Sequence, residues 1–259
     1  MNHSVENNSG EGSGRCGIIT GAASGIGQAA ALYLARRGAK VALIDVDQGG
    51  LKATAERIAA ETDLPPLVFE TDVADAAAVG RAVEMTAFTF DRIDFLVNCA
   101  GILRKTPFLD ISLTEWDLMT RVNLRGIFIC CQAVARQMVA RKSGAIVNIS
   151  SLAGRSVSLL GGAHYTSVKH AVVGLSRHMA LELAPSGIRV NAFCPGATLT
   201  PMITGAVSPA QIETVARNIP RGRWAVPEEQ AAVIEFLISD AAVNITGACI
   251  DSNGGTLMI

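Results

Sequence analysis

Six short stretches of the chain, "RCGIIT", "KVALID", "PLVFET", "IDFLVN", "AIVNIS" and "IRVNAF", are apolar almost without interruption. A strand with one wet face alternates apolar and polar residues, so runs this continuous require cover on both faces, as in a parallel sheet. Between them lie longer stretches of helical pattern, over 26–37, 49–61, 76–89, 113–141 and 163–183. Alternating helices and doubly buried strands define an α/β fold, a doubly wound parallel sheet. No internal repeat or linker marks a second domain, so 15–259 reads as a single domain, a size that buries an ample core. The opening "MNHSVENNSGEGSG", residues 1–14, lacks the basic and apolar regions of a signal peptide and is expected to be a disordered tail.

The remaining composition excludes several classes of function. Hydrophobic residues make up 49%, charged residues 17%, and the formal charge is −1. The basic residues are scattered, which gives nucleic acid no surface, and no apolar run reaches the ~18 residues of a membrane span. Cys16, Cys99, Cys130, Cys131, Cys194 and Cys249 show no C-x-x-C spacing and mostly lie in apolar segments. They read as buried thiols of a reducing, cytoplasmic compartment, with no metal site.

In a doubly wound sheet, ligands bind beyond the carboxyl ends of the strands. The first strand runs into "TGAASGIG", Thr20 to Gly27, and then into a helix. Gly21, Gly25 and Gly27 permit a tight turn and close backbone approach. The N–H groups of Ser24, Ile26 and their neighbours at the helix start attract a pyrophosphate. This is the placement of a Rossmann-type dinucleotide loop. The second strand ends at Asp45, where a carboxylate accepts hydrogen bonds from both ribose hydroxyls of NAD and repels the 2′-phosphate of NADP. Ala22, Ala23, Ser24 and Val46 offer that phosphate no cation, so NAD is the expected cofactor.

"AHYTSVKHAV" places Tyr165 and Lys169 four residues apart on one helical face. The two are either ordinary helix residues or an acid–base pair in which the ammonium lowers the phenol's pKa. Service near neutral pH requires a downward shift of about three units, or ~4 kcal/mol. A unit cation at ~4 Å supplies ~4 kcal/mol at an effective dielectric of ~20.

Taken together, these motifs closely resemble those of the short-chain dehydrogenase/reductase family, over residues 15–255. "TGAASGIG" resembles its T-G-x-x-x-G-x-G, "VNCAG" its N-N-A-G, "YTSVK" its Tyr-x-x-x-Lys and "CPGATLTPM" its P-G-x-x-x-T loop. Three departures are visible. Cys99 replaces the second Asn, Asn253 stands where Asp is usual, and the interval from Ser151 to Tyr165 is one residue longer than the commonest.

The resemblance implies an NAD-dependent oxidoreductase acting on a secondary alcohol or ketone, with Tyr165 as general acid/base, Lys169 as its modulator and Ser151 holding the substrate oxygen. Ser150 is the alternative serine. Asn123, in "RVNLRG", would hold water in a proton relay. Asp72 and Val73 would lie at the adenine, and Asn98, Ala100 and Gly101 would flank the cofactor. Lys169 would grip the ribose, and Pro195, Gly196, Thr198 and Thr200 would hold the carboxamide. Residues 201–220 have the composition of a mobile lid.

Substrate-pocket candidates are Leu103, Leu152, Leu159, Leu160, His164, Met202 and Ile203, with Arg104 and Arg155 available to an anionic group. His164 has no expected catalytic role, because adjacency on a helix turns it about 100° from Tyr165. The 113–141 and 163–183 helices are apolar around much of their circumference, which implies a homo-oligomer, a tetramer by resemblance. Two other readings are a 3-oxoacyl-carrier-protein reductase, whose usual NADP preference Asp45 opposes, and a dinucleotide-binding redox sensor without turnover.

Overall fold

In the computed structural model, residues 14–205 and 207–259 are described; the expected tail falls outside them except for Gly14. That residue belongs to the folded part, since its carbonyl accepts a 2.7 Å hydrogen bond from Arg92.

The strands are β1 (Cys16–Thr20), β2 (Lys40–Asp45), β3 (Leu67–Glu70), β4 (Phe95–Asn98), β5 (Gly144–Ile149), β6 (Ile188–Pro195) and β7 (Cys249–Ser252). All pair in parallel, in the order β3-β2-β1-β4-β5-β6-β7. The helices are α1 (Gly25–Arg36), α2 (Gln48–Glu61), α3 (Ala76–Phe90), α4 (Leu113–Thr120), α5 (Gly126–Arg141), α6 (Ala163–Leu183), α7 (Pro201–Thr204), α8 (Pro209–Asn218) and α9 (Pro227–Ile238).

Successive strand residues feed opposite cores, as the two-residue period dictates. Ile19, Leu43, Phe95, Val97 and Val147 pack beneath α1 and α9. Their neighbours Ile18, Ala42, Ile44, Leu96 and Ile146 pack beneath α3, α5 and α6. Both faces are therefore dry for the central strands. The edge strand β3 differs, because only alternate residues are covered. Its expected continuous burial fails for want of a second neighbour.

The helical pattern over 113–141 is not one α-helix. α4 and α5 are joined by a π-helical turn at Arg121–Arg125, with Asn123 at its centre. Such widened turns often mark functional sites. The sheet order reverses between β1 and β4, which opens a crevice at their carboxyl ends.

Candidate active site

One cavity of about 730 Å³ runs across that crevice. At its first end, Gly21 has φ +68°, and a Cβ there would stand 2.7 Å from the Ala100 nitrogen. Two loops thus cross so closely that only glycine fits. Gly25 has φ +56°, with Thr200 Cγ2 3.3 Å from where a Cβ would be. Helix α1 starts here with no side-chain cap and no acid in its first turn. Its unpaired N–H groups and positive dipole end are left for an anion.

Asp45 closes this end. Its Oδ2 accepts from Ala23 N at 3.1 Å, and Oδ1 accepts from Val46 N at 2.7 Å and Asp47 N at 3.1 Å. The carboxylate is thereby fixed beside the glycine loop. Asp72 and Val73 also reach the wall. Asp72 is already engaged, by Ala74 N at 2.9 Å and by Arg121 at 2.8 Å, which ties the β3–α3 turn to the π-helical turn. Ser24, Ile26, Gly27, Ala100 and Gly101 line the cavity, as do Pro195 at the end of β6 and Gly196 and Thr198 after it.

At the centre stand Asn123, Ser151, Tyr165 and Lys169. Lys169 is buried, and its Nζ donates to Ile149 O at 2.9 Å while lying 5.6 Å from the Tyr165 ring centroid. Burial holds the ammonium down, to a pKa of about 8. Burial also raises the Tyr165 pKa, and the Ser151 hydroxyl counters this in part. The lowered phenol expected from sequence is thus reversed in the protein alone, because desolvation of a phenolate outweighs what the surroundings return. Cys99, at the position of the motif's second Asn, is also pushed up by burial, to about 12, and is an inert wall residue.

Asn123 is fully buried, with both ends of its amide used. Oδ1 accepts from Ile102 N at 3.0 Å, and Nδ2 donates to Met119 O at 3.1 Å. A Cβ on Gly101 would meet Asn123 Oδ1 at 2.7 Å and Lys169 Nζ at 3.8 Å, so the three converge. Of the two serines, Ser151 faces the phenol, whereas Ser150 is buried and donates to Lys169 O at 2.8 Å.

Beyond Tyr165 the walls are mostly apolar. Leu103, Leu152, Leu159, Leu160, Met202 and Ile203 line this end. So do Val215, Ile219, Trp224 and Leu257, which sequence reasoning missed. They come after the sixth strand, where no apolar run marked an element; the only usable signal was Trp224, a large side chain in a turn. The 201–220 stretch contains two helices, α7 and α8, the second with a capping box at Ser208 and Gln211.

Three expected residues lie elsewhere. Asn98 is 1% exposed and donates to Asn148 Oδ1 at 2.8 Å beneath the sheet; it shares the face of Leu96 and points away from the crevice. His164 is absent from the pocket wall and contacts Glu115 on α4 instead. Arg155 is paired with Asp251 at 3.5 Å and lies off the wall, so of the two expected arginines Arg104 is the one that lines the cavity.

A family model described as Enoyl-(Acyl carrier protein) reductase matches residues 21–256. D-threitol dehydrogenase of Mycolicibacterium smegmatis is 40% identical over 242 residues, covering 93% of this chain and 92% of that protein. The chain belongs to the short-chain dehydrogenase/reductase family. A 3-oxoacyl-[acyl-carrier-protein] reductase of Synechocystis sp. is 38% identical to this dehydrogenase/reductase, over 93% of the chain and 96% of the relative. A short-chain type dehydrogenase/reductase from Mycobacterium marinum superposes with a TM-score of 0.91 at 33% identity, covering 99% of this chain and 100% of that one. The family is one of oxidoreductases, and its members use nicotinamide cofactors.

Proposed function

We propose that this short-chain dehydrogenase/reductase is NAD-dependent and interconverts an uncharged secondary alcohol and its ketone, with Tyr165 as general acid/base. The observation that carries the reading is the convergence of Ser151, Tyr165 and Lys169 midway along a cavity whose far end is a glycine loop closed by Asp45. The residues fit a dinucleotide. A Cβ on Gly21 would fill the loop crossing, α1 presents free N–H groups, and Asp45 is positioned for ribose hydroxyls. Among the described wall residues the arginines are Arg104 at the substrate rim and Arg121, which is paired with Asp72, so a 2′-phosphate beside Asp45 finds no free cation.

The nicotinamide ring supplies the hydride acceptor or donor and, when oxidised, one further positive charge. This chain's own residues handle the proton. Ser151 holds the substrate oxygen by hydrogen bond, and Tyr165 takes or returns the proton at its phenolic oxygen. Lys169 keeps a cation 5.6 Å from the centre of the ring. The positive charge that arrives with oxidised cofactor adds to it, and the two together oppose the desolvation that raises the phenol in the protein alone. Asn123, its side chain committed to Ile102 and Met119, fixes the π-helical turn beside Lys169 and its path to solvent.

An apolar substrate end with one rim cation favours an alcohol with an apolar body over a highly charged one. The Synechocystis relative keeps an acyl-carrier reductase as the alternative, and the redox sensor remains the reading without turnover.

Purified protein assayed by NADH absorbance against a panel of alcohols and ketones, with NAD and NADP compared, is expected to show turnover with NAD. Tyr165→Phe should lose roughly 10²–10⁴-fold in kcat, the range for removing an acid/base group, while still binding NADH. Unchanged turnover in that variant refutes the mechanism. Faster turnover with NADPH refutes the role given to Asp45.

A further inference from the structure

Tyr165 sits in the first turn of α6, where backbone N–H groups have no intrahelical acceptor. The N-cap, Gly162, has no side chain to supply one. The acceptor is instead the imidazole of the preceding residue: His164 Nδ1 takes the Tyr165 N–H at 2.9 Å. A backbone nitrogen can only donate, so Nδ1 carries no proton and the ring hydrogen must be on Nε2. Nε2 then donates to Glu115 Oε1 at 2.6 Å. The ring is 1% exposed, and both nitrogens are used.

Glu115 lies in the first turn of α4, and Thr106 also hydrogen-bonds its carboxylate. Gly162 N donates to Arg104 O at 2.8 Å, which ties the same loop to α6 a second time. The two glycines before the helix make this approach possible. A Cβ on Gly162 would stand 2.7 Å from Thr106 O and 2.8 Å from His164 Cε1. One on Gly161 would stand 2.7 Å from Leu103 Cδ1 and 2.9 Å from the Tyr165 ring. The loop carrying Leu103, the start of α4 and the start of α6 therefore interlock around one neutral imidazole.

We infer that His164 is a positioning residue for the reaction. Through Nδ1 it fixes the backbone of Tyr165. Through Nε2 and Glu115 it fixes the loop that carries Leu103, which lines the same cavity. It thus sets how the phenol and its neighbour Leu103, both packed against Gly161, are presented to the substrate. The inference rests on Tyr165 being the acid/base, and it assigns the geometry of that group to a residue outside the cavity.

The two halves of the role separate by substitution. His164→Leu fills similar volume with no acceptor. His164→Asn places Oδ1 near the position of Nδ1 but cannot reach Glu115. Glu115→Ala leaves Nδ1 in place and releases the loop. His164→Leu is expected to lose about 10-fold or more in kcat, since displacements near 1 Å cost up to ~10²-fold. His164→Asn should recover most of that kcat while keeping a raised KM for the alcohol. Glu115→Ala should raise KM with little change in kcat. NADH binding and melting temperature, measured on each variant, report folding. Should His164→Leu not fold, His164→Asn and Glu115→Ala carry the test: both are expected to raise KM with kcat largely kept, and an unchanged KM in either folded variant overturns the inference.

A His164→Leu enzyme within twofold of wild-type kcat overturns the inference, as does a folded His164→Asn no faster than His164→Leu. Tyr165→Phe assayed alongside keeps the two readings apart. Turnover retained there sinks the acid/base role itself. An inactive Tyr165→Phe beside a fully active His164→Leu sinks only the positioning role.

Discussion

Lys169 shows how far a side chain can be read from its spacing and where its surroundings take over. Its place four residues after Tyr165 was legible, because helix geometry puts such residues on one face. Its ionisation was not, since burial depends on chain segments distant in sequence. With the pKa lowered from 10.5 to about 8, the folded protein bears a charge that it disfavours. The sign comes from proton linkage: between about 8 and 10.5 the unfolded chain holds more protons, so this group's contribution makes stability rise with pH across that window. At neutral pH the full penalty is present, about 3 kcal/mol. Lys169→Met removes it but orphans the Ile149 carbonyl, which returns about 1–2 kcal/mol. The variant is therefore expected to be inactive yet more stable by about 1–2 kcal/mol at neutral pH. Above the window the penalty is gone while the orphaned carbonyl remains, so the gain should reverse to a loss of about 1–2 kcal/mol, and urea unfolding of both proteins at several pH values measures it. Side-chain direction at strand ends was harder to read. The motif around Asn98 points it to the cofactor, but the residue lies two positions from Leu96 and so shares that residue's core face.

Elements were legible in proportion to how completely they are buried. Five of the six runs became the doubly covered strands β1, β2, β4, β5 and β6, whose burial leaves an unbroken apolar signature; the sixth became β3, an edge strand covered at alternate residues only. The seventh strand, "CIDS", is half-buried throughout and left no such trace. Its importance lies in the turn that it delivers at Asn253. This side chain accepts from Gly255 N at 2.9 Å and donates to Leu257 O at 3.1 Å, folding the terminal segment so that Leu257 reaches the substrate wall. A Cβ on Gly196 would lie 2.7 Å from Asn253 Cα, so this turn also packs against the loop after β6. Asn253→Ala should lose about 1–2 kcal/mol for its side-chain hydrogen bonds to Gly255 and Leu257. It should raise KM for the alcohol by more than it raises KM for NAD, since Leu257 belongs to the substrate end. Equal effects on the two would show that the turn supports only the loop after β6. The junction at Asn123 escaped detection for another reason. A π-helical turn is confined to a single turn and leaves apolar residues at helical spacing on both sides of it, so 113–141 read as continuous although the extra residue rotates the apolar face by about 100°.

At the scale of the whole molecule, none of the described helices is long and apolar enough to cross a membrane, yet the outer helices carry apolar side chains that the sheet does not use. Phe128 is 46% exposed and Val139 40% on α5, Leu181 is 74% exposed on α6, and Leu113 is 82% exposed on α4. Phe128, Gln132, Arg136 and Val139 succeed one another at helical spacing, so the two apolar residues bracket a polar centre on a single stripe. A self-complementary contact of α5 and α6 about a twofold axis would cover these residues in both copies at once. A stable contact of that kind buries at least ~1,200 Å² in total, more than four isolated side chains offer, so the two helices must engage along much of their length. Replacing Phe128, the larger apolar side chain of the stripe, by a carboxylate is then sufficient to break the contact, because burying that charge without a partner costs several kcal/mol. Light scattering at micromolar concentration should therefore give a mass of two or four chains for the wild type, and Phe128→Glu should shift it toward the monomer with the circular dichroism spectrum unchanged. A monomeric wild type would mean that the exposed stripe serves no self-association. A Phe128→Glu protein of undiminished mass would place the contact on other helices.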